Sequence, residues 1–273
     1  MKAKKIVIWC GNAPNQKALA NKIADAFSVA AIIVENKPGV RKYNLQTVVS
    51  KMLDRTVFQK IGKTWRSMMA YYQSRYPEFP KADVLKVETI NSDEVYEFTR
   101  KHQPDLIVVS GTSLIRKKLL SLQPHIGIIN LHTGLSPYVK GGPNCTNWCI
   151  ANNQPELIGN TIMWINAGID SGNIITTRQT DISNASSLLD IHLAVMEDAH
   201  RLYLDAIKYL VETEPPYISV HQNELGKGML YLTKMWTFKH KMRLLRNLNK
   251  LDKNKKTKAR VVALPELSLK PKH

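Results

Sequence analysis

Apolar and polar positions along this chain follow two patterns that alternate. Short continuous apolar runs rich in β-branched residues mark strands buried on both faces. They fall at residues 5–10, 30–34, 105–110 and 127–132, with a shorter one at 84–87. Between them the apolar positions recur at helical spacing. Residues 16–27 place Leu19, Ile23, Ala26 and Phe27 on one face. Residues 92–102 begin at Ser92 with Asp93 and Glu94 in the first turn, which suits a capped helix start. A brief helix is expected at 115–120. Residues 187–211 open with a Ser187-x-x-Asp190 capping box and carry Leu188, Ile191, Val195, Ala199, Leu202, Ala206 and Leu210 down one side. Residues 160–166 and 173–178 alternate as two further strands around a turn at Asp170. Strand, turn, helix and strand in that order predict right-handed βαβ units. The fold class expected is α/β: a Rossmann-like open, mostly parallel sheet with helices on both faces.

Two stretches depart from this alternation. Residues 44–73 carry Val48, Val49, Met52, Leu53, Val57, Phe58, Ile61, Trp65, Met68, Met69 and Tyr72 at helical spacing, with basic residues between them. They predict a helical insertion at about 44–76. Its apolar face either packs on the domain or meets a membrane surface or nucleic acid. Pro215-Pro216 ends the last long helix, so one large domain is expected at 1–214 and a short basic region at 215–273, its last dozen residues mobile. No internal repeat is present.

Composition narrows the class. With 273 residues and 44% hydrophobic content, the chain can bury a full core. Three cysteines, Cys10, Cys145 and Cys149, are too few for a disulfide framework and point to a reducing compartment. The Cys-x-x-x-Cys spacing has no second pair, so no metal is expected. The apolar patch after Lys2, Lys4 and Lys5 is too short for a secretion signal, and no run is long enough to span a membrane. A cytoplasmic protein is the expectation. The net charge of +17 is the compositional outlier and implies attraction to something anionic, or simply a basic surface.

The candidate chemistry sits where the run at 127–132 ends. Residues i and i+2 of a strand face the same side, so Asn130 and His132 project together at a strand's carboxyl end, where open α/β sheets place their sites. A loop with Gly134, Pro137, Gly141 and Gly142 follows, and Gly168-Ile-Asp170-Ser-Gly172 forms a second tight turn. Imidazole can move a proton near neutral pH, and an Asn amide can donate to a developing oxyanion. Asp170 could orient the imidazole or raise its pKa. Taken singly, each residue also fits an ordinary structural role, and spacing alone does not decide.

Taken together, Asn130-Leu-His132-Thr-Gly-Leu-Ser-Pro137-Tyr-Val-Lys-Gly141, then Gly159-Asn-Thr161-Ile, then Gly168-Ile-Asp170-Ser-Gly172-Asn-Ile-Ile175 resembles the formyltetrahydrofolate-dependent formyltransferase family over roughly residues 5–212. The resemblance implies transfer of a formyl group from 10-formyltetrahydrofolate to a primary amine. It implies that His132 and Asp170 shuttle protons and that Asn130 with protonated His132 holds the oxyanion. The donor's pterin is implied against Ser113, Leu114 and Ile115, and against the Asn166-Ala167-Gly168-Ile169 loop. Gly134 and Ser136 stand where commoner members carry Ser and Leu, on a loop implied to face the acceptor. Asn12 and Asn15 lie in a turn similar to the phosphate-holding turn of purine-pathway members, although an ordinary βα turn stays open. With Pro137, Tyr138, Lys140 and Gly141 they are the candidate acceptor contacts.

Length points to one acceptor class. Purine-pathway enzymes that formylate glycinamide ribonucleotide are compact and leave the insertion unexplained. Hydrolases of formyltetrahydrofolate carry a domain before the first strand, and enzymes acting on initiator methionyl-tRNA need a longer C-terminal barrel than the 57 residues after Pro216 allow. Amino-sugar N-formyltransferases of surface-polysaccharide pathways fit the size. The expectation is therefore an N-formyltransferase acting on a nucleotide-linked or free anionic amino sugar. Glycinamide ribonucleotide, or a non-catalytic role on nucleic acid or a membrane surface, are the alternatives. A small-molecule, anionic acceptor is the expected partner, nucleic acid is not, and a homodimer is left open.

Overall fold

The structure is a computed structural model that describes residues 3–37, 52, 55–142 and 144–265. Residues 44–51, 53 and 54 of the expected insertion, and the tail after residue 265, lie outside the described residues.

The apolar runs form the strands they predict: β1 (Ile6–Gly11), β2 (Val29–Glu35), β3 (Asp83–Val87), β4 (Leu106–Ser110) and β5 (Gly127–His132). Helices α1 (Pro14–Ala26), α2 (Gln59–Arg75), α3 (Asp93–His102) and the single turn α4 (Lys117–Leu120) connect them. After β5 come β6 (Val139–Gly141), α5 (Cys145–Ala151), β7 (Gly159–Trp164), β8 (Ile174–Gln179) and the long α6 (Leu188–Glu212). The C-terminal stretch adds α7 (Gln222–Leu225), β9 (Met229–Tyr231) and α8 (Phe238–Leu248).

Seven strands form one sheet in the order β3-β2-β1-β4-β5-β7-β8, parallel from β3 to β5 and antiparallel at β7 and β8. The chain leaves β1 in one direction through β2 and β3 and returns beside it through β4 and β5. The carboxyl ends of β1, β2, β4 and β5 thus share one edge, where the strand order reverses and a crevice opens.

The apolar runs are explained by two-sided burial. Ile6, Ile8, Cys10, Ile32 and Val108 pack with Leu19 and Ile23 of α1 and Leu202, Tyr203 and Ala206 of α6. Val7, Trp9, Ala31, Ile33, Ile107 and Val109 fill the opposite face with Val95 of α3. The long helix begins as its sequence foretells: Ser187 and Asp190 form a reciprocal capping box.

The described part of the amphipathic insertion turns part of its apolar face inward, while Met52, Val57 and Trp65 stay exposed. Met68 and Tyr72 are buried against Ala18 and Met196, and the Tyr72 hydroxyl donates to Glu197 at 2.8 Å, itself paired with Lys22 at 2.7 Å. The residues after Pro216 pack as well: Tyr231, Leu244 and Leu248 join Trp148 and Cys149 of α5 in a separate apolar cluster. Four short elements escape the sequence patterns. β6, β9 and α7 are three or four residues long, and α5 is seven residues without a charged face to set against an apolar one. Among the described residues no helix is long and apolar enough to cross a membrane.

Tyr203 joins the helical layer to the strands at the crevice. Its hydroxyl accepts from the Val109 N–H at 2.8 Å and lies 3.1 and 3.0 Å from the Val109 and Ile129 carbonyls, where β4 meets β5. Burial holds its phenol well above the ordinary tyrosine range, so it stays protonated. Tyr203→Phe strands these buried groups and is expected to destabilise the fold by about 1–3 kcal/mol, read as a lower urea midpoint with an unchanged slope. An unchanged midpoint contradicts this.

Candidate functional site

Asn130 and His132 stand at the end of β5, paired across to Met163 and Thr161 of β7, and both line a cleft of about 650 Å³ at the crevice edge. Asn130 is half-buried, and no side-chain hydrogen bond engages its amide among the described residues. It is available to a ligand. Thr161 secures the loop that follows β5: its hydroxyl donates to the Gly134 carbonyl at 2.7 Å and accepts from the Ser136 N–H at 2.9 Å.

His132 is buried and has an oxygen facing each ring nitrogen. Nδ1 lies 3.3 Å from Oδ2 of Asp170, and Nε2 lies 3.1 Å from the Val139 carbonyl. Cys145 Sγ is 3.7 Å from Nε2. The Val139 carbonyl can only accept, so Nε2 donates to it, and the Asp170 carboxylate faces Nδ1 at ion-pair distance, a setting that favours the doubly protonated imidazolium. Burial works against that charge. Nearby Cys145 and Asp170, with the ring's hydrogen bonds to the Cys145 sulfur and the Val139 carbonyl, more than offset it, and the His132 pKa is raised to about 9. Asp170 lines the cleft and Val139 does not, so the Nδ1 edge is the one presented to a ligand.

Asp170 reaches His132 from a tight turn after β7. Within that turn the Asn166 side-chain oxygen accepts from Gly168 N–H at 3.0 Å and the Ser171 hydroxyl at 2.8 Å. The same Oδ2 that faces His132 accepts from the Gly141 N–H at 2.9 Å. The loop after β5 therefore wraps around the imidazole. Gly134 is required there: a Cβ would overlap His132 Nε2 and crowd the Val139 carbonyl.

The opposite wall is the loop after β4. Glu35, buried at the end of β2, accepts from Ser113 N–H at 2.6 Å and from Ile90 N–H at 3.0 Å. Asn91 Nδ2 donates to the Leu114 carbonyl at 2.9 Å. These bonds pin the loop while Leu114 itself stays 51% exposed, and Ile169 on the facing turn is 46% exposed. Both line the cleft and give it an apolar lip.

The structure thus brings together Asn130, His132, Asp170, Ser113, Leu114, Ile115, Asn166, Gly168, Ile169 and Gly141 in one cleft. Ala167 belongs to the same turn but does not line it. The acceptor candidates other than Gly141 lie elsewhere. Asn12 is exposed in the turn after β1, and Asn15 is buried with its amide 3.6 Å from Met196 sulfur. Pro137 is buried, and Tyr138 faces the C-terminal stretch, where its hydroxyl lies 3.0 Å from the Leu225 carbonyl and accepts from Arg260 N–H at 2.9 Å. Lys140 pairs with Leu230 between β6 and β9. Gly134 and Ser136, expected to face the acceptor, are also turned inward, Ser136 completely. Sequence reasoning missed Glu35, Cys145 and Tyr203, and quoted Thr161 in a motif without giving it a role. Only Glu35, a lone acid closing an apolar run, left a signal. Among the described residues no three His, Cys, Asp or Glu side chains gather as a metal site.

Comparison with known proteins follows the same line. A family model described as formyl transferase matches residues 3–207. Methionyl-tRNA formyltransferase of Clostridium tetani is 32% identical over 131 residues, which are 47% of this chain and 41% of that protein. The chain therefore spans about two-fifths of that relative's length. A sugar N-formyltransferase from a Shewanella species shares the fold with a TM-score of 0.56 and 16% identity, over 90% of this chain and 88% of that one. An N-formyltransferase from Helicobacter canadensis, solved with folinic acid and dTDP-3-aminofucose, does so with a TM-score of 0.51 and 17% identity, over 90% and 80%.

The raised pKa of His132 has a consequence for stability. A group that binds its proton more tightly when folded stabilises the fold fully below its ordinary value and loses that contribution as pH rises through the folded one. Here the window runs from 6.5 to about 9. Unfolding free energy from urea titrations is expected to fall across it, and to fall less steeply in Asp170→Asn. Equal slopes in the two proteins contradict the pairing.

Proposed function

The chain belongs to the formyl transferase family, and from that premise we propose that it transfers a formyl group from 10-formyltetrahydrofolate to the primary amine of an amino sugar. The observation that carries the reading is the convergence of Asn130, His132 and Asp170 on one cleft whose apolar lip, Leu114 and Ile169, suits a flat pterin ring. The N-formyltransferase solved with folinic acid supports the same choice of donor.

In the proposed reaction the amine nitrogen attacks the formyl carbon, the new C–N bond forms, and the bond to the donor nitrogen breaks. One proton leaves the amine and one reaches the departing nitrogen. The Asn130 amide and the Nδ1–H of His132 are the donors that stabilise the carbonyl oxygen as it becomes an oxyanion, each such donor being worth about 2.7–4 kcal/mol. The Asp170 carboxylate, on the cleft side of the imidazolium, receives the amine proton, and His132 supplies one to the leaving nitrogen. An imidazolium at neutral pH suits the acid and oxyanion role better than that of a first base.

Support for the amino-sugar acceptor is coarser. The sugar N-formyltransferase fold covers 90% of this chain, beyond the residues that the family model matches. Thr233 of the C-terminal stretch lines the cleft, so the region after Pro216 borders the acceptor's approach. The net charge of +17 favours an anionic acceptor such as a sugar nucleotide, for use in surface-polysaccharide synthesis in the cytoplasm.

The test is donor turnover against nucleotide-linked and free amino sugars, with glycinamide ribonucleotide and methionyl-tRNA in the same panel. Release of tetrahydrofolate with an amino sugar is expected. Turnover confined to either of the other two acceptors overturns the sugar reading, and none with any amine overturns formyl transfer. His132→Ala is expected to lower kcat by roughly 10²–10⁴-fold, and Asn130→Ala by roughly 10²–10³-fold. Wild-type turnover in His132→Ala would contradict the mechanism.

A further inference from the structure

Asp170 sits at φ +45°, in the left-handed region that a side-chain-bearing residue occupies at a cost. Its main chain is held from outside the turn. Gln222, the first residue of α7, is buried, and its Nε2 donates to the carbonyls of Asp170 and Gly172, each at 2.8 Å. Both hydrogens of one amide thus engage two carbonyls of the turn that carries the acid.

The neighbours of Gln222 extend the hold. Ile174 and Val220 exchange two main-chain hydrogen bonds at 2.8 and 2.9 Å, and Asn173 Nδ2 donates to Ser219 Oγ at 3.0 Å. Farther along the same stretch, β9 pairs with β6, and Gly142 N–H donates to the Tyr231 carbonyl at 2.9 Å. β6 ends in Gly141, whose φ of +82° leaves no room for a Cβ beside that same carbonyl, and whose N–H holds Asp170 Oδ2. Residues 219–231 therefore grip the turn of Asp170 at one end and, at the other, the strand that fixes its carboxylate. They lie outside the span of 3–207 matched by the family model.

We infer that Gln222 is a positioning residue for Asp170: by bridging the carbonyls of residues 170 and 172 it sets where the carboxylate meets the cleft-side nitrogen of His132. This rests on the proposed function for its catalytic consequence, but not for its geometry. Gln222 touches no reacting atom. Its effect passes through the backbone of the turn, which without the amide has one less reason to stay in a disfavoured conformation.

Gln222→Met keeps the length of the side chain and removes both donors, and Gln222→Asn keeps the amide but shortens its reach. Asn223→Ala, on the exposed face of the same helix, is the control. Two readouts are taken on folded protein. The pH midpoint of the His132 ring, followed by NMR without substrate, is expected to fall by about one unit in both Gln222 variants as Asp170 drifts from the ring. The kcat for donor turnover is expected to fall by up to ~100-fold with the donor KM little changed, the signature of misplaced rather than missing groups. Asn223→Ala is expected to match wild type in both. A wild-type His132 midpoint in Gln222→Met, or in Gln222→Asn if methionine is not accommodated, overturns the inference. Because that midpoint needs no turnover, the clamp is judged even if no amine in the panel is formylated, an outcome that sinks the proposed reaction instead.

Discussion

An imidazole with an oxygen facing each of its two nitrogens is the constraint around which this molecule is arranged. Neutral His132 would set a lone pair against the Val139 carbonyl or the Asp170 carboxylate, and a buried polar group left unpaired costs about 1–3 kcal/mol. Imidazolium donates to the carbonyl and pairs its charge with the carboxylate, provided both stay in place. Much of the surrounding structure serves that condition. Thr161 ties down the loop that brings Val139 round, Gly134 leaves room for the ring, and the Gly141 N–H holds the carboxylate oxygen that faces Nδ1. The parallel sheet supplies the remaining element, since the end of β5 presents Asn130 and His132 on the same side.

Those contributions come from four separate parts of the chain, which explains how much could be read beforehand. The strands were legible because each is buried on both faces and so appears as an unbroken apolar run. Asn130 and His132 were legible as a pair because a strand's period of two puts them together. No periodicity links residue 132 to residue 170; only the resemblance of their motifs joined them. The Gly141 N–H and the Val139 carbonyl were invisible in principle, being backbone groups whose aim is set by tertiary structure. The placement of the loop between β5 and α5 was not legible for a related reason. Gly134, Ser136, Pro137 and Tyr138 closely follow His132 in sequence, but the loop closes around the ring and turns those residues inward or toward the C-terminal stretch.

The amphipathic, basic character of the insertion has a simpler cause over its described part. Met68 and Tyr72 are its buried face, docked on α1 and α6, and the Tyr72 hydroxyl shares Glu197 with Lys22. That part of the apolar stripe is therefore a domain contact, while Val57 and Trp65 remain exposed with the charged residues. The same principle accounts for the C-terminal stretch, whose short elements carry weak signals of their own and are stable only through what they pack on. Tyr231 stacks on Trp148 with ring centroids 4.4 Å apart, and β9 gains its only sheet partner, among the described residues, in β6.

The protonation state of His132 is the point on which the proposed chemistry turns, since an oxyanion donor needs the second proton and a first base must lack it. The ¹⁵N chemical shifts of its ring nitrogens in the ligand-free protein at pH 7.5 test this most directly. Both are expected in the range of protonated, N–H-bearing nitrogens. One nitrogen at the position of an unprotonated, pyridine-type nitrogen would mean neutral imidazole, and would contradict the account of how the site is built.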